Sequence, residues 1–349
     1  MMKKSLKIDE IESLCILRLS AIGDVTHVLP VIATLQKAKP SLKITWVIGK
    51  IEYKLMQGLP GVDFVVYDKN QESKALKNLK IKFKNQRFDV LFHMQYSFRA
   101  NRVAWKIPAK YRIGFDKKRS RELHGLKLTH RIKAVEYQHV LDSFMEFVSV
   151  LGIKEKNYHW NVVVSEDDST FAKKFSNPDC PMVVINPCSS IHYRDWRVEN
   201  YCEVINYMQE KYNAHVIVCG SPNERELKVA EQICLQTKKA CLNLAGRDTL
   251  KKLYALMQRA SLVISSDSGP MHIANAAGAP VIGLHASTTA RRSGAYRYHD
   301  LAIDCFSQAA KKFENKPENK IKWGHQIKHE NVMDLITVQA VKEKIDVIL

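Results

Sequence analysis

The stretch "LCILRLSAIGDVTHVLPVIATLQ", residues 14–36, decides the fold. Leu14–Leu19 is an apolar run of strand length. Ser20, Ala21 and Gly23 are small residues suited to a tight turn, and from Asp24 the apolar residues recur at helical spacing, predicting a helix over 24–38. Strand, tight turn and helix in that order open a parallel α/β unit. The turn carries a single carboxylate, Asp24. An acid there can cap the helix, satisfying first-turn N–H groups and the helix dipole. It can equally do chemistry, because open α/β sheets hold ligands at the carboxyl ends of their strands.

The same alternation runs on through the chain. Strand-like runs at 43–49, 63–68, 89–94 and 111–115 are separated by helix-like segments near 51–58, 71–86 and 98–107, and a helical pattern over 136–152 ends at a glycine. The segment 164–181, "VSEDDSTFAKKFSNPDCP", is polar and proline-flanked, and reads as an interdomain connection. Alternation then restarts, with strands at 182–187, 214–220, 241–246, 261–267 and 279–285. The expected division is an N-terminal Rossmann-like domain over 1–165, a linker over 166–180 and a second Rossmann-like domain over 181–349. Helix-like residues 335–349 are free to pack on either domain, including back onto the N-terminal one.

Composition narrows the classes. With 349 residues and 46% hydrophobic content there is material for two cores. No apolar run approaches the length that spans a bilayer. The opening "MMKKSLKIDEIESL" lacks the apolar segment of an export signal. The eight cysteines contain no C-x-x-C pair and read as reduced thiols, with Cys15, Cys219 and Cys241 in apolar runs; no zinc site is expected. A formal charge of +18 calls for an anionic partner: nucleic acid, a membrane surface or a phosphorylated substrate. Residues 99–133 concentrate that charge, as a solvated face or as a patch for an acidic acceptor or membrane.

Three strand-end motifs follow in the second half. In "SSDSGPMHIANAAGAP", 265–280, a strand ends at Asp267, Ser268 and Gly269 turn, Pro270 suits the first helical position and His272 lies one turn in. The free N–H groups of Ser268, Gly269 and Met271 can receive an anion or simply begin a helix. "NPCSSIHYRDW", 186–196, offers Asn186, Ser189 and Ser190, then Arg194, a bidentate partner for a diphosphate or a surface arginine beside Trp196. "CGSPNERE", 219–226, leads from a glycine turn to Glu224, placed to bond ribose hydroxyls or to complement the helix dipole. There is no G-x-G-x-x-G and no P-loop, which disfavours dehydrogenase and kinase readings.

Together, "LRLSAIGDVTHVLP", "YRDW", "GSPNE", "LAGRDTL" and "SDSGPMHIANAAGAPVIGLHASTTARRSGAY" resemble the lipopolysaccharide heptosyltransferases of glycosyltransferase family 9. The resemblance spans residues 14–296, and "FRA" with "GFDKKRSRE" looks closest to the branch that adds the first heptose. It implies a GT-B fold, two Rossmann-like domains facing across a cleft, with the acceptor on the first and the nucleotide sugar on the second. It implies inverting transfer from ADP-L-glycero-β-D-manno-heptose to Kdo of lipid A, at the cytoplasmic face of the inner membrane of a Gram-negative bacterium. No cofactor or bound metal is implied, and no convincing D-x-D motif is present.

Carried onto this sequence, the resemblance makes Asp24 the general base and Arg194 the stabiliser of the departing diphosphate. Ser189, Ser190, Ser268, Gly269 and Pro270 surround the phosphates, and Cys188 is unusual in that neighbourhood. Asp267 meets the heptose, His272 sits near phosphate or sugar, and Glu224 takes the ribose. Arg121, with Arg99 and Arg102 behind it, is the expected acceptor-binding group. The competing expectations are a transferase for a later core heptose, one using another nucleotide sugar, a non-catalytic nucleotide-sugar binder, or a basic nucleic-acid-binding protein. The last is disfavoured because the basic residues are not interleaved with aromatics on a recognisable module.

Overall fold

The computed structural model describes residues 6–349; the basic start of the N-terminal segment, residues 1–5, lies outside the described residues. The chain forms two compact units, Met1–Val163 and Val164–Leu349.

The first unit has strands β1 Ser13–Leu17, β2 Lys43–Gly49, β3 Val62–Tyr67, β4 Phe88–His93, β5 Ala109–Gly114 and β6 His130–Arg131. Its helices are α1 Ile22–Thr26, α2 Val28–Ala38, α3 Lys50–Met56, α4 Glu72–Lys82, α5 Phe98–Ala104 and α6 Val140–Ser149. The sheet order is β3-β2-β1-β4-β5-β6, parallel throughout. Four of the five β1 residues are buried, as expected of a central parallel strand covered on both faces. The expected helix over 24–38 is two helices meeting at His27. Pro30 explains the break: in the first turn of α2 its missing N–H is harmless, whereas inside one continuous helix it would delete a bond. The helical pattern from 136 begins only at Val140, where the His139 ring accepts from the Leu141 N–H at 3.0 Å.

The second unit has helix α7 Glu166–Lys173, then β7 Met182–Asn186, α8 Val198–Lys211, β8 His215–Val218, α9 Glu224–Gln236, β9 Leu242–Asn243 and α10 Leu250–Met257. It continues with β10 Leu262–Ser266, α11 Gly269–Ala277, β11 Val281–His285, α12 Ala290–Ser293, β12 Ile303–Asp304, α13 Phe306–Phe313 and α14 Val338–Asp346. Its order is β12-β11-β10-β7-β8-β9, the first sheet's topology repeated. In both sheets the strand order reverses beside the first strand of the unit, between β1 and β4 and between β7 and β10. That reversal is where doubly wound sheets open a crevice for ligands.

Two expectations are corrected, on the linker and the cysteines, and the open placement of the terminal helix is decided. The segment expected as linker is largely helix α7, because Ser165 caps it: its hydroxyl accepts from the Asp168 N–H at 3.1 Å, and the Asp168 carboxylate reaches back to Ser165. α7 belongs to the second unit, where Phe171 receives the Lys252 ammonium of α10 over its ring. The terminal helix α14 stays with its own domain, burying Val341 and Ile345 in the core with Tyr201 and Ile205 of α8. The cysteines are not all free: Cys234 and Cys241 form a disulfide, with Cα atoms 5.4 Å apart, while Cys15 and Cys219 are buried free thiols. The pair forms because the end of α9 turns directly into β9, which sequence spacing does not reveal.

Among the described residues no helix is long and apolar enough to cross a membrane.

Candidate active site

In the first unit, β1 ends at the reversal point and delivers Arg18 and Asp24 to its mouth. The Arg18 backbone stays in register with the sheet: its N–H donates to Val47 O and its carbonyl accepts from the Trp46 indole at 3.1 Å. Its side chain is buried, donates to Met94 O at 2.5 Å and lies over the Phe144 ring. The other end of the guanidinium pairs with the Asp24 carboxylate, which also accepts weakly from the Ala21 N–H at 3.3 Å. Asp24 therefore caps α1 and is also held by a buried cation. The side chain of Asp24 retains 31% exposure. Gln95 closes the opposite side, accepting from Leu19 N–H at 2.8 Å and donating to Ser20 Oγ at 3.3 Å.

Arg18 was missed from sequence, although it is the one charged residue in "LCILRL". A cation inside a buried strand needs a fixed partner.

In the second unit the site is built on β10 and β11. Asp267 is buried and accepts from Thr288 Oγ at 2.6 Å. Arg194 lies beside it, 3.6 Å from Oδ2 and 3.5 Å from the Asp267 carbonyl. Burial alone would raise the Asp267 carboxyl. His285, Arg194, the Thr288 hydroxyl and His272 outweigh it and hold the group below the usual carboxylate range. The Arg194 Nε is buried without a partner. His285 is fully buried, with Nδ1 at 3.5 Å from Thr288 Oγ; burial keeps the ring low, against the pull of Asp267 and Asp304. Thr288 and His285 were not singled out as site residues; the polar run "HASTTA" directly after a strand was the available signal.

Ser268 adopts the extended N-cap conformation with its hydroxyl turned to Ser265 Oγ, so it does not cap the helix. Pro270 takes the second helical position, after Gly269, and His272 is buried. The first-turn N–H groups of an α-helix have no partner within it.

The loop after β7 is more committed than expected. The Ser189 hydroxyl donates to Ile191 O at 2.7 Å and accepts from Ile191 N–H at 3.0 Å, so its bonding capacity closes the turn. Asp195 accepts from the Ser189 N–H at 2.6 Å, and Arg225, another residue missed from sequence, bridges Asp195 and the Ser189 carbonyl. Ser190 remains exposed. Cys188 is buried, and burial together with Asp195 pushes its thiol up to about 12, so it is an inert packing group. Glu224 is exposed and pairs with Lys228 at 2.6 Å. It is Glu226 that folds back over the strand-end turn, accepting from Ser221 N–H at 2.7 Å.

Of the expected acceptor group, Arg99 and Arg102 both face Glu72, at 3.7 and 2.7 Å, while Arg121 is exposed. No group of three or more His, Cys, Asp or Glu able to share a metal ion occurs among the described residues.

Two parallel sheets in tandem, each with an acid and an arginine at its reversal point, place the protein in the GT-B class of glycosyltransferases. The chain belongs to glycosyltransferase family 9 (heptosyltransferase), whose pattern it matches over residues 76–322, and its activity is that of a heptosyltransferase of lipopolysaccharide core biosynthesis. It is 39% identical to the lipopolysaccharide core heptosyltransferase OpsX of Haemophilus influenzae, over 95% of each chain. The fold is that of a family 9 glycosyl transferase from Veillonella parvula, with TM-score 0.80 and 22% identity over 99% and 98% of the two chains. It is also that of the Escherichia coli heptosyltransferase WaaC with ADP, with TM-score 0.74 and 17% identity over 97% and 100%.

Proposed function

We propose that this enzyme transfers L-glycero-D-manno-heptose from ADP-heptose to Kdo of lipid A, with inversion, on the cytoplasmic face of the inner membrane. The observation supporting it best is the way the two acid–arginine pairs are presented. The first offers a partly exposed carboxylate, and the second holds a largely buried guanidinium only loosely, at 3.5–3.6 Å from its acid. Inversion needs one of each: a base to take the proton from the acceptor hydroxyl as it attacks the anomeric carbon, and a cation to meet the departing diphosphate.

In this reading Asp24 is the base. Arg18 fixes its rotamer, which favours positioning over basicity. Arg194 swings from its loose contact with Asp267 to the diphosphate, whose remaining charge meets Ser268, Gly269 and the N–H groups at the start of α11, with Ser190 nearby. Pro270 pre-sets the helix turn. Asp267, held ionised, accepts from heptose hydroxyls, and Glu224 from the ribose. His272 supports the Asp267 charge. Arg121, Arg99 and Arg102 meet the acidic acceptor. No bound metal is assigned a role. The ADP in the WaaC structure supports the adenosine diphosphate half of the donor.

The test is ADP release with ADP-heptose and Kdo-lipid A, followed by a mass spectrum of the glycolipid. Gain of one heptose is the expected result. Transfer only to a core already carrying heptose would overturn the acceptor assignment, and absence of ADP-heptose binding would overturn the donor.

A further inference from the structure

Residues 98–137 of the first unit carry twelve lysines and arginines against three acids. The same stretch exposes large apolar side chains: Phe98 at 49%, Leu123 at 61%, Leu126 at 53%, Val135 at 38% and Tyr137 at 53%. Scattered exposed apolar residues need no explanation, but these are gathered on one surface. The Glu122 carboxylate accepts from the Phe98 N–H, and the Asn101 amide donates to the Glu122 carbonyl, so the loop carrying Leu123 and Leu126 lies against the start of α5. Arg119 donates to Lys133 O at 2.7 Å and to Gln138 Oε1 at 3.1 Å, and Lys118 pairs with Glu136, so the segment carrying Val135 and Tyr137 lies against the same loop.

The loop is also held in shape. Arg131 donates to Phe115 O at 3.0 Å and to Ser120 Oγ at 2.9 Å. Leu123 sits at φ 66° and Tyr137 at φ 54°, left-handed conformations that side chains of their size rarely adopt. The bonded backbone thus fixes the loop from which they project. The exposed cations around them, Lys117, Lys118, Arg121, Lys127 and Lys133, outnumber the exposed acids, of which Glu136 is paired and Glu122 is engaged by backbone.

We propose that this surface docks the enzyme on an anionic lipid bilayer, with Leu123, Leu126 and Tyr137 entering the interface and the surrounding lysines and arginines meeting lipid phosphates. Charge complementarity selects the occupant. Exposed leucines gain nothing on nucleic acid, whereas apolar side chains ringed by cations are what a negatively charged membrane interface rewards. The inference rests on the proposed lipid-linked acceptor for its purpose: docking would leave the acceptor's acyl chains in the bilayer while its anionic sugar reaches Arg121.

The full chain is floated with vesicles of phosphatidylethanolamine and phosphatidylglycerol, and with vesicles of phosphatidylcholine alone, without donor or acceptor. The wild type is expected on the anionic vesicles only, and to leave them as salt rises. The double variant Leu123→Asp/Leu126→Asp should lose roughly tenfold or more in partition, and Lys117→Glu/Lys127→Glu a comparable amount. With a delipidated, water-soluble acceptor the leucine variant should turn over as the wild type does, which also shows that it folds. Undiminished partition of the leucine variant would overturn the proposal. So would a concentration-dependent dimer in light scattering that the variant dissolves, which would assign the surface to a second copy. Vesicle binding without heptose transfer would refute the acceptor reading and leave this one standing; transfer to the soluble acceptor without vesicle binding would do the reverse.

Discussion

Each sheet has an acid–arginine pair at its reversal point, and the two are built differently: Arg18 and Asp24 both follow β1, whereas Arg194 follows β7 and Asp267 follows β10. At the β1 mouth the arginine is the anchored partner. Arg18 has 10% side-chain exposure, with a carbonyl and an aromatic ring holding it, and Asp24 is the end left accessible at 31%. At the β10 mouth the acid is anchored by Thr288 at 2.6 Å, and Arg194 touches it only at 3.5–3.6 Å with its Nε unpartnered. One topology thus leaves a carboxylate partly exposed in one copy, while in the other both partners are largely buried, Arg194 at 12% and Asp267 at 11%, and the guanidinium is the more loosely bonded of the two. The difference lies in which partner is tied to its own domain by further bonds.

The comparison breaks most readily at the presented ends. Asp24→Ala should lower kcat by about two to four orders of magnitude while isothermal titration still shows normal ADP binding. Loss of ADP binding with unchanged turnover per bound donor would remove Asp24 from the base role. Arg194→Ala should reduce kcat by about two to three orders of magnitude, with Arg194→Lys recovering part of it, since a point charge replaces the fork. If the lysine variant is no better than alanine in steady-state kinetics, the guanidinium acts through geometry alone.

A smaller effect is expected at an anchor. Thr288→Val keeps the shape but removes the donor from a buried carboxylate. A hydrogen bond to a charged group is worth about 1.5–3 kcal/mol, and a destabilisation of that size should be seen in denaturant melts. A neutral result would mean that Arg194 closes onto Asp267 when the hydroxyl is gone.

The extent to which this was legible in sequence differs between backbone and side chains. Ten of the twelve strands announced themselves as apolar runs between turn signals, the two-residue β9 among them because it lies in the longer run 241–246. The two-residue strands β6 and β12 did not, since "HR" and "ID" bury little. Asp267 was legible because it follows β10 directly, and Asp24 and Arg194 because each lies in the connection that follows the first strand of its unit. Their anchors were not. Arg18 precedes Asp24 by six residues, but Thr288 is 21 residues from Asp267 and reaches it only because β11 lies beside β10. Glu224 and Glu226 could not be ranked from composition, because both stand in the first turn of α9 and only the backbone path decides which folds back.

Asp248 sharpens the comparison, because it is a half-buried acid of the second unit that lacks such an arrangement. It lies in the connection between β9 and α10, and its Oδ2 is buried with no hydrogen-bond partner. Burial lifts its carboxyl from the ordinary 3.8 to about 7, with only its own backbone N–H and Lys252 pulling the other way. The sign follows from proton uptake. In the unfolded chain the group ionises near 3.8 and in the fold near 7, so between those values the unfolded state gives up its proton first. Stability from this group is complete below the unfolded value, falls as pH rises toward the folded one and is flat above it. Asp248→Asn removes the titration. Its stability relative to the wild type should therefore rise across that window, by about 1–2 kcal/mol after discounting for partial solvent access, as followed by urea melts at several pH values. A pH-independent difference would mean that Asp248 finds a proton-compensating partner in the fold. The Thr288 and Arg194 contacts of Asp267, which Asp248 lacks, would then no longer explain why one acid is held ionised and the other is not.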